Sequence, residues 1–287
     1  MKDRIISSEH MTIHVTESAP GKELRRLGIR PSRSMGQNFL TDEAMAEWIV
    51  SAASIEPGEK VLEIGPGLGI LTRRLAAATD NLVVIELDNR LATNLEGKGI
   101  SVMRGDALAV NFPEFDKVVS NLPYQISSPI ILKLLEHSFK LAILMFQKEF
   151  ADHLVANPGD AAYSRISVMA GYRSESKIIK HVPKGCFHPV PKVDSAVVEI
   201  IPKDPDFKIL DEHHFGETVR ILFSHKNRKV RNGLIAEHVA VGLGKAEAKE
   251  LGDILPHNDK RPITLAPAQL AEISNFLFER KVSFSMK

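Results

Sequence analysis

Lys60-Val61-Leu62-Glu63-Ile64-Gly65-Pro66-Gly67-Leu68-Gly69 reads as a buried strand running into a glycine turn, with a helix expected from Gly69 to Ala78. The apolar run, Lys60 to Ile64, is short and bounded by turn residues, as a strand covered on both faces requires. Three glycines let the backbone pass close to a ligand at the carboxyl end of that strand. Roughly 20 residues further on, Glu86 closes a second strand, Asn81 to Glu86, where a carboxylate can accept both hydroxyls of a ribose. The spacing differs from the nicotinamide fingerprint, which places a glycine where Ile70 stands.

Outward from this unit, strand-like and helix-like stretches alternate. Apolar Met45, Trp48, Ile49 and Ala52 keep helical spacing between Asp42 and Ala53, with Thr41 or Asp42 as N-cap. A helix is expected from Asn89, strands at Ser101–Arg104 and Lys117–Ser120, and a helix at Ser128–His137. Leu141–Gln147 follows as a strand and Lys148–Ala156 as a helix. This order predicts an α/β fold, a parallel sheet with helices on both faces. Ser176–Val182 and Val193–Ile201, joined by a Pro-rich segment, predict two strands added antiparallel at one sheet edge. Pro202 to Pro205 reads as a linker. Beyond it Phe215, Val219, Leu222 and Phe223, then Leu270, Ile273 and Leu277, keep helical spacing. The expected organisation is therefore an extension over 1–22, an α/β domain over 23–205 and a small helical domain over 206–287.

After the strand ending at Ser120 comes Asn121-Leu122-Pro123-Tyr124. Each residue suits an exocyclic amine on a planar ring such as adenine N6, whose lone pair is delocalised into the ring and is a poor nucleophile. The Asn121 side-chain oxygen and the backbone carbonyl of Leu122 or Pro123 can accept the two amine hydrogens and favour a more tetrahedral nitrogen. Pro123 stiffens the turn, and Tyr124 offers a face to a base taken out of its stack. Read alone, the tetrapeptide is also an ordinary strand-end turn. The glycine loop upstream argues for chemistry, as does Gly105-Asp106-Ala107-Leu108, where Asp106 is placed to meet an adenine amino group.

The composition is that of an ordinary globular protein, and no apolar run approaches the roughly 20 residues a membrane helix needs. Met1 to Pro20 is a mixed polar stretch without a signal-peptide core, and a solitary Cys186 cannot form an internal disulfide, so a cytoplasmic location is expected. The eleven histidines lack ligand spacing, so no metal is expected. A net charge of +1 does not mark a nucleic-acid binder, but its distribution is uneven. Lys22, Arg25, Arg26, Arg30 and Arg33 crowd one segment, and Arg220, Lys226, Arg228, Lys229 and Arg231 another. Such patches can contact phosphates in a near-neutral chain, although a charged run is usually a solvated helix face.

The glycine loop resembles those of S-adenosylmethionine-binding sheets, and the ordered set of motifs resembles the KsgA-type small-subunit rRNA adenine dimethyltransferases. The resemblance runs from about Pro31 to the C-terminus and includes Gly36-Gln37-Asn38-Phe39-Leu40, the glycine loop and Asn121-Leu122-Pro123-Tyr124. It continues through Phe187-His188-Pro189-Val190-Pro191-Lys192-Val193-Asp194-Ser195, Leu222-Phe223-Ser224 and Arg261-Pro262-Ile263-Thr264-Leu265.

It implies a Rossmann-like sheet that uses S-adenosylmethionine to dimethylate N6 of two adjacent adenosines in a hairpin loop near the 3′ end of 16S-type rRNA. It also implies that Gln37, Asn38, Leu40, Gly65, Gly67, Glu86, Asp106, Ala107 and Asn121 form the cofactor site, and that Tyr124 and Phe187 sandwich the target adenine. The implied partner is rRNA within an immature 30S particle, gripped by the helical tail of a monomer. A large-subunit rRNA adenine methyltransferase, a DNA adenine methyltransferase and a non-catalytic assembly factor are the rival readings. The segment Phe187 to Ser195 and the tail around Arg261-Pro262 disfavour the first, and the lack of an evident duplex-reading domain the second. An intact Asn121 with Glu86 argues against the third.

Overall fold

The computed structural model describes residues 19–29 and 38–284. In chain order the elements are α1 (Ala19–Arg26), β1 (Phe39–Leu40), α2 (Glu43–Ala52), β2 (Val61–Ile64), α3 (Ile70–Ala78), β3 (Leu82–Glu86) and α4 (Asn89–Glu96). Then come β4 (Ser101–Arg104), β5 (Lys117–Asn121), α5 (Ser127–Leu134), β6 (Leu141–Gln147), α6 (Lys148–Leu154), α7 (Arg165–Gly171), β7 (Ser174–Val182), β8 (Phe187–His188) and β9 (Ser195–Pro202). Four helices close the chain: α8 (Glu212–Phe223), α9 (Val230–Ala236), α10 (Lys245–Ile254) and α11 (Pro267–Glu279).

Seven strands form one sheet in the order β4-β3-β2-β5-β6-β9-β7. The first five are parallel, and β9 and β7 pair antiparallel on the β6 side, as the two Val- and Ile-rich runs predict. Successive strand residues face opposite sides of a sheet. Val61, Val119, Ile143 and Val197 accordingly join α2 and α3 in one core, through Ile49, Leu71 and Leu75. Leu62, Val118, Leu144 and Val198 join α5, α6 and α7 in the other, through Ile130, Leu154 and Ile166. Burial of every residue of β2 explains its unbroken apolar run, whereas the edge strand β4 is half-exposed. Each fully buried Leu or Ile contributes roughly 1.5–3 kcal/mol to holding these layers.

Short side chains set the element boundaries. Asp42, one of the two expected caps, accepts the Met45 N–H at 2.8 Å, and Asp88 accepts that of Arg90 at 2.9 Å.

The structure departs from the expected extension. Helix α1 begins at Ala19, inside the stretch expected to be loose, and buries Leu24 among Ile29, Phe39, Leu68 and Leu91. Its apolar signal is only Leu24 and Leu27 set among basic residues, which hid the amphipathic face. Lys22, Arg25 and Arg26 lie on its exposed side. Residues 1–18, and Arg30, Arg33 and Gln37, lie outside the described residues.

Helix α7 was not expected as a separate element. Its Ile166 and Ala170 belong to the sheet core, and its Val168 packs with Tyr163, Tyr172, Phe215, Val219, Leu270 and Leu277 in the core of the C-terminal helices. No helix among the described residues is long and apolar enough to cross a membrane.

Candidate active site

In an open parallel sheet, ligands bind beyond the carboxyl ends of the strands, where the strand order reverses direction. Here the reversal lies between β2 and β5: the chain leaves β2 toward β3 and β4, and leaves β5 toward β6. The glycine turn follows β2 and Asn121-Leu122-Pro123-Tyr124 closes β5, so the two motifs meet. A Cβ placed on Gly65 would stand 3.2 Å from Pro123 Cδ. Gly65 and Gly67 also adopt left-handed φ values of 67° and 58°, which L side chains resist. Between the strands, the buried Ser120 hydroxyl accepts the Ile64 N–H at 2.8 Å.

A third segment closes over this end. Phe39 and Leu40 of β1 pair antiparallel with His188 and Phe187 of β8, and the Phe39 ring lies 3.0 Å from where a Gly67 Cβ would be. One cleft is thereby lined by Asn38, Leu40, Gly65, Gly67, Glu86, Asn121 and Tyr124 among others. A second is lined by Glu86, Asp88, Asp106, Ala107 and Gln125, and Gly65, Glu86 and Pro123 belong to both.

Three carboxylates define the electrostatics. Glu86 is 6% exposed; its two oxygens accept the N–H groups of Gly67 (3.3 Å) and Asp88 (2.9 Å). Burial raises its carboxyl above the usual range, and these N–H groups oppose the rise. The carboxylate keeps acceptor capacity for a ligand hydroxyl. Asp106 is exposed, and one of its oxygens accepts the Leu108 N–H at 2.9 Å. Glu63 is 1% exposed and its Oε2 has no hydrogen-bond partner among the described residues; burial, with the neighbouring Glu86 charge, pushes its carboxyl up to about 8.

Glu63 gives a pH dependence of stability. With an ordinary value of 4.5, it is neutral in both folded and unfolded chains at low pH, and folding takes up a proton between about 4.5 and about 8. Stability is therefore lost as pH rises through that window, at up to about 1.4 kcal/mol per pH unit. Glu63→Gln removes this loss. Thermal melts should show the variant gaining on wild type from pH 5 to pH 8, whereas a gap constant with pH would contradict the assignment.

Within the tetrapeptide, the Asn121 Nδ2 donates to the Asn38 carbonyl at 3.3 Å, which commits the amide nitrogen and leaves its oxygen as an acceptor. The Pro123 carbonyl already accepts the Ile126 N–H at 3.1 Å within a short 3₁₀ turn. Leu122 is buried, and Tyr124 is half-buried at the cleft with its hydroxyl 2.8 Å from Ser195 Oγ.

Of the two residues expected to sandwich the adenine, Phe187 is buried. Its ring is 2% exposed and packs in the core with Leu40, Val119, Val182 and Val197, so it offers no open face to a base. Pairing of Phe187 with Leu40 ties it to β1, one of whose residues, Leu40, lines the cleft. The tail's basic cluster is likewise narrower than its sequence suggests. Lys226 Nζ donates to the carbonyls of Ala161 and Tyr163, both at 3.0 Å, and Arg220 pairs with Glu217 at 2.7 Å. Arg228 and Lys229 remain exposed.

Sequence reasoning missed Lys133. From α5 it donates to the Ala107 carbonyl at 2.8 Å and to that of Val110, fixing the Asp106 loop. A lysine in a helix reads as solvated, so nothing local signalled this contact.

The chain matches the profile of the family described as ribosomal RNA adenine dimethylase over residues 30–250. It is 43% identical over 252 residues to the probable ribosomal RNA small subunit methyltransferase A of Methanosarcina mazei, covering 85% of this chain and 92% of that one. It is 41% identical over 262 residues to the protein of the same name from Pyrococcus furiosus, covering 88% and 94%. Among solved structures, a dimethyladenosine transferase from Plasmodium falciparum superposes with a TM-score of 0.71 at 30% identity, over 86% of this chain and all of that one. The 23S rRNA methyltransferase ErmE superposes with a TM-score of 0.61 at 27% identity, over 84% and 100%.

Proposed function

The chain belongs to the ribosomal RNA adenine dimethylase family, and from that premise we propose that it dimethylates N6 of two adjacent adenosines in the hairpin loop near the 3′ end of small-subunit rRNA. The methyl donor is S-adenosylmethionine. The observation that supports this reading best is the contact of the glycine turn with Pro123 at the strand-order reversal, which sets an amine-binding turn beside a ribose-binding carboxylate.

The residues present suit the donor. Glu86, buried and with acceptor capacity to spare, would take the ribose hydroxyls. The free oxygen of Asp106 would take the adenine amino group, with Ala107 beside it. Asn38, Leu40, Gly65 and Gly67 would line the remainder, and Gln37 would complete it from outside the described residues. S-adenosylmethionine supplies a methyl group made electrophilic by its sulfonium.

The protein's task is then to position the amine and exclude water. Asn121 Oδ1 accepts one N6 hydrogen. The carbonyl of Leu122 or Pro123 takes the other, that of Pro123 having one lone pair committed to the Ile126 N–H. Together they draw the nitrogen lone pair out of the ring. Tyr124 supports the base. Asn121 cannot take a proton, so the one released by N6 leaves to solvent.

The RNA grip falls to the helical unit 206–287, with Arg228 and Lys229 toward phosphates, in a monomer that acts on an immature 30S particle in the cytoplasm. Incubation with labelled S-adenosylmethionine and under-methylated small subunits, large subunits or naked DNA tests the reading. Label in the small subunit alone is expected. Label in the large subunit, the substrate of the nearest rival reading, or in DNA would replace it, and no label despite cofactor binding would leave an assembly factor.

A further inference from the structure

We propose that Ser195 is a positioning residue for methyl transfer: through its hydroxyl it fixes the tilt of the Tyr124 ring against which the target adenine rests. This rests on the functional reading above and adds a residue to which that reading gives no part. Tyr124 lies one turn beyond β5, on a segment whose backbone is tied by the Ser127 hydroxyl donating to the Tyr124 carbonyl at 2.9 Å. Among the described residues, the far end of its ring is tied through the 2.8 Å hydrogen bond to Ser195 Oγ. Without that bond the ring is free to turn about χ1 and χ2 at the mouth of the cleft, and its face no longer holds one angle to the Asn121 amide.

Ser195 is built to be a fixed point. It is 0% exposed and opens β9, where it pairs with Gln147 of β6 on one side and Val182 of β7 on the other. The residue before it is tied as firmly: the Asp194 carboxylate accepts the Lys184 N–H at 2.9 Å, and the Asp194 carbonyl accepts that of Lys148 at 3.0 Å. Asp194-Ser195 thus joins the Pro-rich connection, the β6–α6 junction and the Tyr124 ring at one place. Burial raises the phenol above its ordinary value, so the hydroxyl stays protonated and able to hydrogen-bond at any working pH.

A hydrogen bond that merely satisfied a buried hydroxyl and a half-buried one would affect stability and leave turnover alone. One that sets the ring angle affects turnover and leaves RNA affinity alone, because most contacts to a folded RNA lie elsewhere. The test is steady-state methylation of under-methylated small subunits by wild type, Ser195→Ala, Tyr124→Phe and the double variant, with melting temperature and cofactor affinity measured on each.

Either single change should lower kcat by about five- to tenfold while KM for the subunit stays within about twofold. The double variant should be no slower than either single one, because both remove the same bond. Tyr124→Phe keeps the aromatic face and probes the bond from its accessible end, so the outcome does not hinge on how well Ser195→Ala folds. Unchanged kcat in the single variants, a lower melting temperature with unchanged kcat, or losses that multiply in the double variant would each overturn the proposal. A wild type inactive on the small subunit would overturn the functional reading and this inference with it, whereas an active wild type with unaffected variants would overturn this inference alone.

Discussion

Asn121→Ala is expected to lower methyl transfer by about 10²–10³-fold while S-adenosylmethionine still binds within a few-fold of wild type. The side chain sits at the end of β5 with its amide nitrogen held by the Asn38 carbonyl, so its oxygen is oriented before any substrate arrives. Truncation removes the acceptor that draws the N6 lone pair out of conjugation. It leaves Glu86, the glycine turn and Asp106 in place, and these are the groups assigned to the cofactor. The loss should therefore appear in kcat with RNA saturating, and calorimetric titration of the cofactor should change little. Turnover near that of wild type would remove Asn121 from the chemistry. A collapse of cofactor affinity would recast it as a cofactor ligand first and an amine ligand second.

The second large effect falls on the fold. Phe187→Ala should destabilise the protein by about 3–5 kcal/mol, the usual cost of truncating a buried aromatic. That is a large share of the roughly 5–15 kcal/mol by which domains are stable. Phe187 is 2% exposed, shares a core with Leu40 and Val197, and pairs with Leu40 in the small sheet that closes the cofactor cleft. Cofactor affinity should fall together with melting temperature, because β1 carries the Phe39 ring over Gly67. Tyr124→Ala, at the half-buried ring, should lower melting temperature less than Phe187→Ala and reduce transfer. Denaturation curves on both variants separate these roles: a Phe187→Ala protein as stable as wild type but unable to methylate would restore its ring to the base.

These two residues mark where the sequence was legible. Asn121 was readable because its neighbours are local: the strand before it, Pro123 after it, and a glycine turn whose distance along the chain is bridged by parallel pairing of β2 with β5. The sheet was readable for a similar reason, since strands buried on both faces carry continuous apolar runs and caps such as Asp42 announce helix starts. The burial of Phe187 was not legible because its environment comes from residues nearly 150 positions away in β1, and a two-residue strand leaves no periodicity to detect. Helix α1 was lost among its arginines. Helix α7 serves two cores at once, and its seven residues are too few for a clear helical stripe. The basic tail looked uniform in sequence, yet Lys226 is spent on the carbonyls of Ala161 and Tyr163, a contact that only the packing of the helical unit against the loop before α7 creates.

The most direct test of the account is to map, nucleotide by nucleotide, the adenosines modified when the purified protein and S-adenosylmethionine are added to under-methylated small subunits. The account predicts N6,N6-dimethyladenosine at two neighbouring positions of the hairpin loop near the 3′ end of the rRNA, formed about 10²–10³-fold more slowly with Asn121→Ala. Modification at a single isolated adenosine, at a base other than adenine, or only in large-subunit rRNA would contradict it.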